Sequence, residues 1–377
     1  MTVNKERIAG TFAQLVEVDS PSRHERRMAD TLKKLYGELG IVLEEDDAGP
    51  AFGGDTGNLF GKVKGQLPGS PLLFSAHMDT VEPSQGKKAV FHPDGKITSN
   101  GKTVLGADDL GGLTAILEAV RWLQETGTPH RDLELMFSPS EERFSEGTHQ
   151  FDFSRCQAKM GYILDLSEEM GAAAVRAPGC VHFWLTVHGK AAHAGFNPED
   201  GIHAISIAAH ALSKLQFGHT DPVTTVNIGV IHGGLMANIV PEQCQLEGEI
   251  RSYQETRIQE ELDHILAVFQ EAATHQGGSV TMEHQWCYKP LNTPEDAAVV
   301  AHYRKACEKV GLPVKLVGTF GMSDCNHLPQ HGLEGIVVSS AMWNCHSTQE
   351  YTTLSSLCQL TQLVIALMTG EELSARK

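Results

Sequence analysis

Apolar residues along this chain switch between two spacings, and the switches outline its elements. Met28, Leu32, Leu35 and Leu39 recur at helical spacing before Gly40, and Ser22 with Glu25 is positioned as a capping box ahead of them. NLFGKV, PLLFSAHMDT, LELMF and MGYILDL are short apolar runs that read as strands, the later ones buried. Leu113 to Trp122 repeats apolar residues as a helix. A loop of about 25 residues separates PLLFSAHMDT from GADDLGG, long enough to suspect a functional role.

The pattern changes near Ala177. CVHFWLTVHG alternates as a strand with one solvated face, and a helix follows on Ile202, Ile205, Ala209 and Leu212. TTVNIGVIHGG and CQLEGEIRSY supply two more strands, a helix carries Ile258, Leu262, Ile265 and Phe269, and SVTMEHQW closes the series. This strand–helix–strand–strand–helix–strand order describes a compact α+β unit of roughly 110 residues. From about Cys287 the chain returns to helix–strand–loop–strand–helix. The pattern therefore predicts a discontinuous α/β domain, 1–176 with 287–377, interrupted by an α+β insertion at 177–286.

Five runs end in residues able to bind a divalent metal: His77, Asp108, Glu142, Asp165 and His346. Open α/β sheets gather ligands at the carboxyl ends of their strands, so groups distant in sequence can converge there. Taken singly, each is an ordinary polar residue at the end of an element. Asp108 and Asp109 before Gly111 and Gly112 read first as a helix cap, and Glu141 with Glu142 as a solvated loop. Together, two His and three carboxylates make a mixed N/O set suited to zinc, with manganese or cobalt as alternatives. Asp79, two residues after His77, is placed to hold that imidazole. Adjacent side chains near a strand end diverge, so Glu142 can bind metal while Glu141 moves a proton.

Composition narrows the field. The chain has 377 residues, which favours two domains, and 41% apolar with 20% charged residues is ordinary for a soluble globular protein. Lys plus Arg number 30 against 47 Asp plus Glu, a formal charge of −17 that opposes nucleic-acid and anionic-membrane partners. Eight cysteines lie scattered with no CxxC pair, and neither a signal segment nor a membrane-length apolar run appears, so a cytoplasmic location is expected. No G-x-G-x-x-G follows the first strand and no P-loop occurs, which argues against a nucleotide-binding enzyme. A non-catalytic binding protein on the same fold would be expected to lack a ligand or the base, and here all are present.

The order H-x-D, D-D near glycines, E-E, D and H resembles the M20 family of di-zinc metallopeptidases and amidohydrolases, most closely its peptidase T-type tripeptidases. The resemblance runs from about Ser20 to Glu350 and is carried by SAHMDTVEP, LGADDLGG, SEE, GKAAHAGFNPEDGIHAI, NIVPE, EIRS and GMSDCN. It implies a three-layer α/β/α catalytic domain with a mixed sheet, and a lid or dimerisation domain inserted in it. Asp108 would bridge two divalent ions, His77 and Asp165 completing one and Glu142 and His346 the other. Glu141 would be the general base and Asp79 the orienting partner of His77, with a cis peptide between Asp108 and Asp109. His193 would stabilise the oxyanion from the partner subunit of a homodimer. Arg251 and Asn238 would bind a substrate carboxylate, with Gly321 and Ser323 lining the same pocket. Leu110, Arg143 and Met322 depart from residues common in the family, at positions that concern substrate fit and not metal. The implied activity is release of the N-terminal residue from tripeptides, with a deacylase of N-acyl amino acids or a carboxypeptidase as the alternative.

Overall fold

The computed structural model describes residues 2–370. Chain contacts divide it into two units. The first comprises the chain up to Val175, Thr293–Thr319 and the segment from Ser323 onward; the second comprises Arg176–Asn292 with Phe320–Met322.

The first unit is built on a mixed sheet with helices on both sides. Its centre is four parallel strands in the order Leu133–Ser138, Leu72–His77, Met160–Leu166 and Glu334–Ser339. Leu59–Val63 and Leu43–Glu45 extend one edge antiparallel. The His77 strand comes first in sequence among the four but lies between its two successors, so chain direction reverses beside it. A crevice at the carboxyl ends is the geometric result. The sheet is apolar because it is covered: every residue of Leu72–His77 and of Leu133–Ser138 is buried. Helices Lys5–Val16, Ala107–Thr126, Ala298–Val310 and Leu354–Met368 contribute to one continuous core with it.

The second unit is an antiparallel sheet of five strands, ordered Gly218–Asp221, Thr224–Gly233, Gln243–Ser252, Gly179–His188 and Ser279–Tyr288. Val181, Phe183, Leu185 and Val187 face the helices Ala204–Leu212 and Glu255–His275, while the alternate residues from His182 to His188 remain partly exposed. Ile258, Leu262, Ile265 and Phe269 bury the helical stripe expected of them.

Three local expectations fail. Helix Arg26–Gly37 forms and buries Met28, Leu32 and Leu35, but Ser22 and Glu25 make no capping box. Ser22 Oγ donates to Asp79 instead, at 2.7 Å, and Glu25 accepts the backbone N–H groups of Arg23 and Ser140 at 2.8 and 3.0 Å. The long stretch after Asp79 is not structureless: Val90–Phe91 and Lys96–Thr98 form a small sheet with Tyr351–Thr353. The second unit also carries the strand Gly218–Asp221, which the pattern does not predict.

Candidate metal centre

Four of the five metal-ligand candidates are delivered by a strand end or the segment just beyond one, and Asp108 by the start of a helix. His77 is the last residue of its strand and Asp165 the penultimate residue of Met160–Leu166. Glu141 and Glu142 begin a 3-10 turn three residues past Ser138, and His346 lies in the loop after Glu334–Ser339. Asp108 and Asp109 open helix Ala107–Thr126 with non-helical backbone, joined by a cis peptide as the resemblance implies. Among the described residues, the non-glycine positions with positive φ are Arg23 and then Ser140, Phe144, Ser145, Ala341, Asn344 and His346, so all but one flank the Glu pair or His346. Such backbone is held only where surroundings over-determine it, and it concentrates at functional sites.

The two aspartates divide the work that sequence leaves ambiguous. Asp109 is fully buried and acts as the cap, its Oδ1 accepting Gly112 N–H at 3.2 Å and its Oδ2 accepting His77 N–H at 3.3 Å. Asp108 turns into the cleft. Its Oδ1 lies 3.0 Å from His77 Nε2 and its Oδ2 3.2 Å from His346 Nε2, so one carboxylate faces both imidazoles with different oxygens. Glu142 meets His346 Nε2 at 3.0 Å, and Asp165 stands 3.9 Å from His77 Nε2. Two ligand groups overlap on His77: His77, Glu141 and Asp165, and His77, Asp108 and Glu142.

Asp79 supports the centre more broadly than its spacing suggests. Its backbone carbonyl is 3.0 Å from His77 Nδ1 and its carboxylate 3.4 Å. That carboxylate also accepts the N–H groups of Glu141 and Glu142 at 2.9 and 3.2 Å. One buried side chain thus fixes both the first imidazole and the Glu–Glu turn. Glu350 has a parallel place that sequence reasoning missed. It is 1% exposed and accepts Gly106 N–H at 2.7 Å and Asp108 N–H at 3.0 Å, holding the backbone of the central carboxylate. A lone Glu in a polar loop carries no local signal of that role.

The electrostatics call for a cation. Burial, followed by the charges of Glu142, Asp324 and Asp79, pushes the Glu141 carboxyl well above the ordinary range. Burial and the Glu141 and Asp108 charges do the same to Asp165, and burial with Asp108 raises Glu142. Against burial, hydrogen bonds with His346 and His77 hold Asp108 low, and its contact with Asp108 and Glu142 lifts His346 to about 10. Crowded acids that must share protons with two imidazoles form a donor set that divalent ions satisfy directly. His, Asp and Glu oxygens and nitrogens suit zinc or a harder divalent ion.

The remaining candidates lie in or next to the second unit. His193 is exposed, and its Nδ1 accepts Gly195 and Phe196 N–H groups at 3.1 Å each. An accepting Nδ1 puts the proton on Nε2, leaving a donor available. Asn238 is beside it: Ala194 N–H donates to Asn238 C=O at 3.0 Å, and His193 bridges to Ile239. Arg251 grips Glu249 with two contacts at 2.8 and 3.1 Å and donates to Phe320 C=O at 3.3 Å, so any carboxylate it binds shares the guanidinium with Glu249. Gly321 lies in the second unit, next to Phe320. Ser323 belongs to the first unit, is 2% exposed, and caps the turn Asp324–His331 by accepting Cys325 N–H at 3.3 Å.

Comparison with known proteins agrees with this architecture. Residues 176–277 match the M20 peptidase dimerisation domain, and residues 58–173 match peptidase family M28. The Bacillus subtilis (strain 168) protein YqjE is 34% identical over 97% of this chain and 98% of its own length. The crystal structure of aminopeptidase PepT from Bacillus cereus ATCC 10987 superposes with a TM-score of 0.90 at 34% identity, covering 97% of this chain and 98% of that one. A tripeptidase structure from Staphylococcus aureus subsp. aureus Mu50 gives a TM-score of 0.93 at 31% identity, covering 98% and 99%. On this near full-length similarity the chain belongs to the M20 family of metal-dependent peptidases, and within it is most like the peptidase T-type members.

Proposed function

We propose that this M20 peptidase is an aminopeptidase that releases the N-terminal residue of tripeptides, using two divalent ions held by His77, Asp108, Glu142, Asp165 and His346. The observation that carries the two-ion reading is Asp108, which offers one oxygen to the His77 side and the other to the His346 side. The tripeptide reading is supported by similarity to the PepT aminopeptidase and the tripeptidase at 34% and 31% identity. Zinc fits the ligand set, and manganese or cobalt would be tolerated by it.

Divalent ions bound there supply Lewis-acid polarisation and bring the pKa of water toward ~7. The chain's own residues supply the rest. Glu141, 7% exposed and next to Glu142, takes the proton of the attacking water and returns it to the departing amine. Asp79 fixes that base by accepting its backbone N–H. His193 donates its Nε2–H to the developing oxyanion, from the partner copy in a homodimer formed through the inserted unit. Arg251 and Asn238 receive the substrate's terminal carboxylate, with Gly321 and Ser323 as further substrate-binding residues. A short peptide is the substrate, and the cytoplasm is the proposed place of action.

Mass-spectrometric product identification from free and N-acetylated Ala-Ala-Ala, with zinc-reconstituted protein, tests the reading. The expected result is loss of the N-terminal Ala from the free peptide alone. Cleavage at the acetyl bond only, or release of the C-terminal residue only, would overturn the aminopeptidase assignment while leaving the metal centre intact.

A further inference from the structure

Cys180 and Cys287 lie on adjacent strands of the second unit, outside any role in peptide hydrolysis. Strand Gly179–His188 alternates buried and half-exposed residues, and Cys180 falls on the same side as His182, away from the helices. It is nevertheless fully buried, packed with Cys287 and Tyr288 under Met322. The reason is a bulge. Pairing of Ser279–Tyr288 with Gly179–His188 runs in register to Trp286 opposite Val181, then jumps to Tyr288 opposite Cys180, leaving Cys287 as the extra residue. Cys180 therefore faces two consecutive residues, one of them the second cysteine. A bulge sets two residues opposite one, so Cys287 shares with Tyr288 the position across from Cys180, and the two cysteines pack together there.

The two side chains pack in one buried cluster, and both are free thiols; Cys287 S–H donates to Gln285 C=O at 3.9 Å. The adjoining Cys180 side chain, working against burial, lowers the pKa of Cys287, the direction that favours a nucleophilic thiolate. Cys287 is also the more accessible of the pair, at 7% exposure against 0% for Cys180. On its other side Cys180 pairs with Arg251, whose guanidinium is clamped to Glu249.

We propose that Cys180 and Cys287 form a redox-active thiol pair that closes to a disulfide on exposure to a peroxide, across the bulge and beside the Arg251–Glu249 ion pair. The Cys287 thiolate attacks a peroxide oxygen and becomes a sulfenic acid, with release of water. The Cys180 sulfur then attacks the sulfenic sulfur, the S–S bond forms, and a second water leaves. Two thiols lose two hydrogens and two electrons, and one hydrogen peroxide is reduced to two waters. A dithiol reductant reverses the change by thiol–disulfide exchange. The scattered cysteine pattern gives no hint of this pair, because 106 residues separate the partners and only the bulge brings them together.

The test is peptide mapping of the full-length protein after brief treatment with hydrogen peroxide and blocking of remaining thiols under denaturing conditions. The tryptic peptides that hold Cys180 and Cys287 each contain one cysteine, so a cross-link between them is unambiguous. The expected result is a non-reduced species joining the two peptides with loss of two hydrogens, which dithiothreitol abolishes. In Cys180→Ser the expected product is a Cys287 sulfenic acid that a dimedone probe captures. Recovery of both cysteines as blocked thiols while Cys156 or Cys345 is oxidised would overturn the proposal. So would disulfides that link either cysteine only to other partners. The mapping reads the wild-type chain, so it does not depend on how well the variant folds or on which peptide the enzyme cleaves.

Discussion

Replacing Glu141 by Ala separates two jobs that the acidic cluster places side by side. Glu141 is assigned proton transfer and its neighbour Glu142 a ligand role, so Glu141→Ala is expected to keep its metal and lose turnover by roughly 10²–10⁴-fold. Near-native turnover, or loss of metal, would contradict that division. Glu350 acts one step further back, through the backbone of Asp108. Glu350→Ala leaves two buried N–H groups without their acceptor, at about 1–3 kcal/mol each, and is expected to lower the melting temperature and weaken metal binding together. Glu25 makes a pH prediction. Burial, then the charge of Asp79, pushes its carboxyl from 4.5 to about 8. A carboxyl with a raised folded pKa holds its proton more tightly when folded. Its contribution to stability is therefore full below about pH 4.5 and is lost as pH rises toward 8. Denaturant midpoints of metal-free wild type and Glu25→Gln, compared at about pH 5 and about pH 9, should show the variant gaining on wild type at the higher pH. A difference that does not change with pH would refute this.

Among the elements, the entry to helix Ala107–Thr126 leaves no room for a larger side chain. A Cβ on Gly112 would stand 2.4 Å from Asp109 Oδ1 and 2.9 Å from Leu164 C=O, both fixed by burial. Gly112→Ala should therefore cost on the order of 1–3 kcal/mol by thermal or denaturant melts, despite the better helix propensity of Ala; a neutral or stabilised variant would contradict the packing described. The main strands and helices could be read from apolar spacing because each buries a full face, as Leu72–His77 and the stripe Ile258, Leu262, Ile265, Phe269 do. Elements of two to four residues could not. Val90–Phe91, Lys96–Thr98 and Gly218–Asp221 are too short to show a period, and Lys96–Thr98, which pairs with the first, also pairs with Tyr351–Thr353 more than 250 residues on. Capping at Ser22 and Glu25 misled for a related reason. Both have the right local spacing, but Asp79 and Ser140 recruit them from a distance. The same kind of long-range demand explains Glu350, whose partners Gly106 and Asp108 lie far earlier in the chain.

At the scale of the whole molecule, the two units hold different groups. The match of residues 176–277 to the M20 dimerisation domain suggests a homodimer, and that unit exposes Phe196, Leu235 and Met236 at 86, 86 and 65%. Exposed apolar side chains of this size are the ones to test for an association surface. Sedimentation should show a dimer that dissociates in a Leu235→Asp, Met236→Asp double variant; a monomeric wild type, or an unaffected dimer, would contradict that surface. All five proposed ligands reside in the other unit. There Asp108, with an oxygen toward each imidazole, is proposed to join two ion sites into one centre. The most direct test is metal stoichiometry by elemental mass spectrometry, on wild type and Asp108→Ala dialysed side by side against dilute zinc. Two ions per chain in wild type, with both sites weakened together in the variant, is the predicted result. One ion per wild-type chain, or two retained without Asp108, would contradict it.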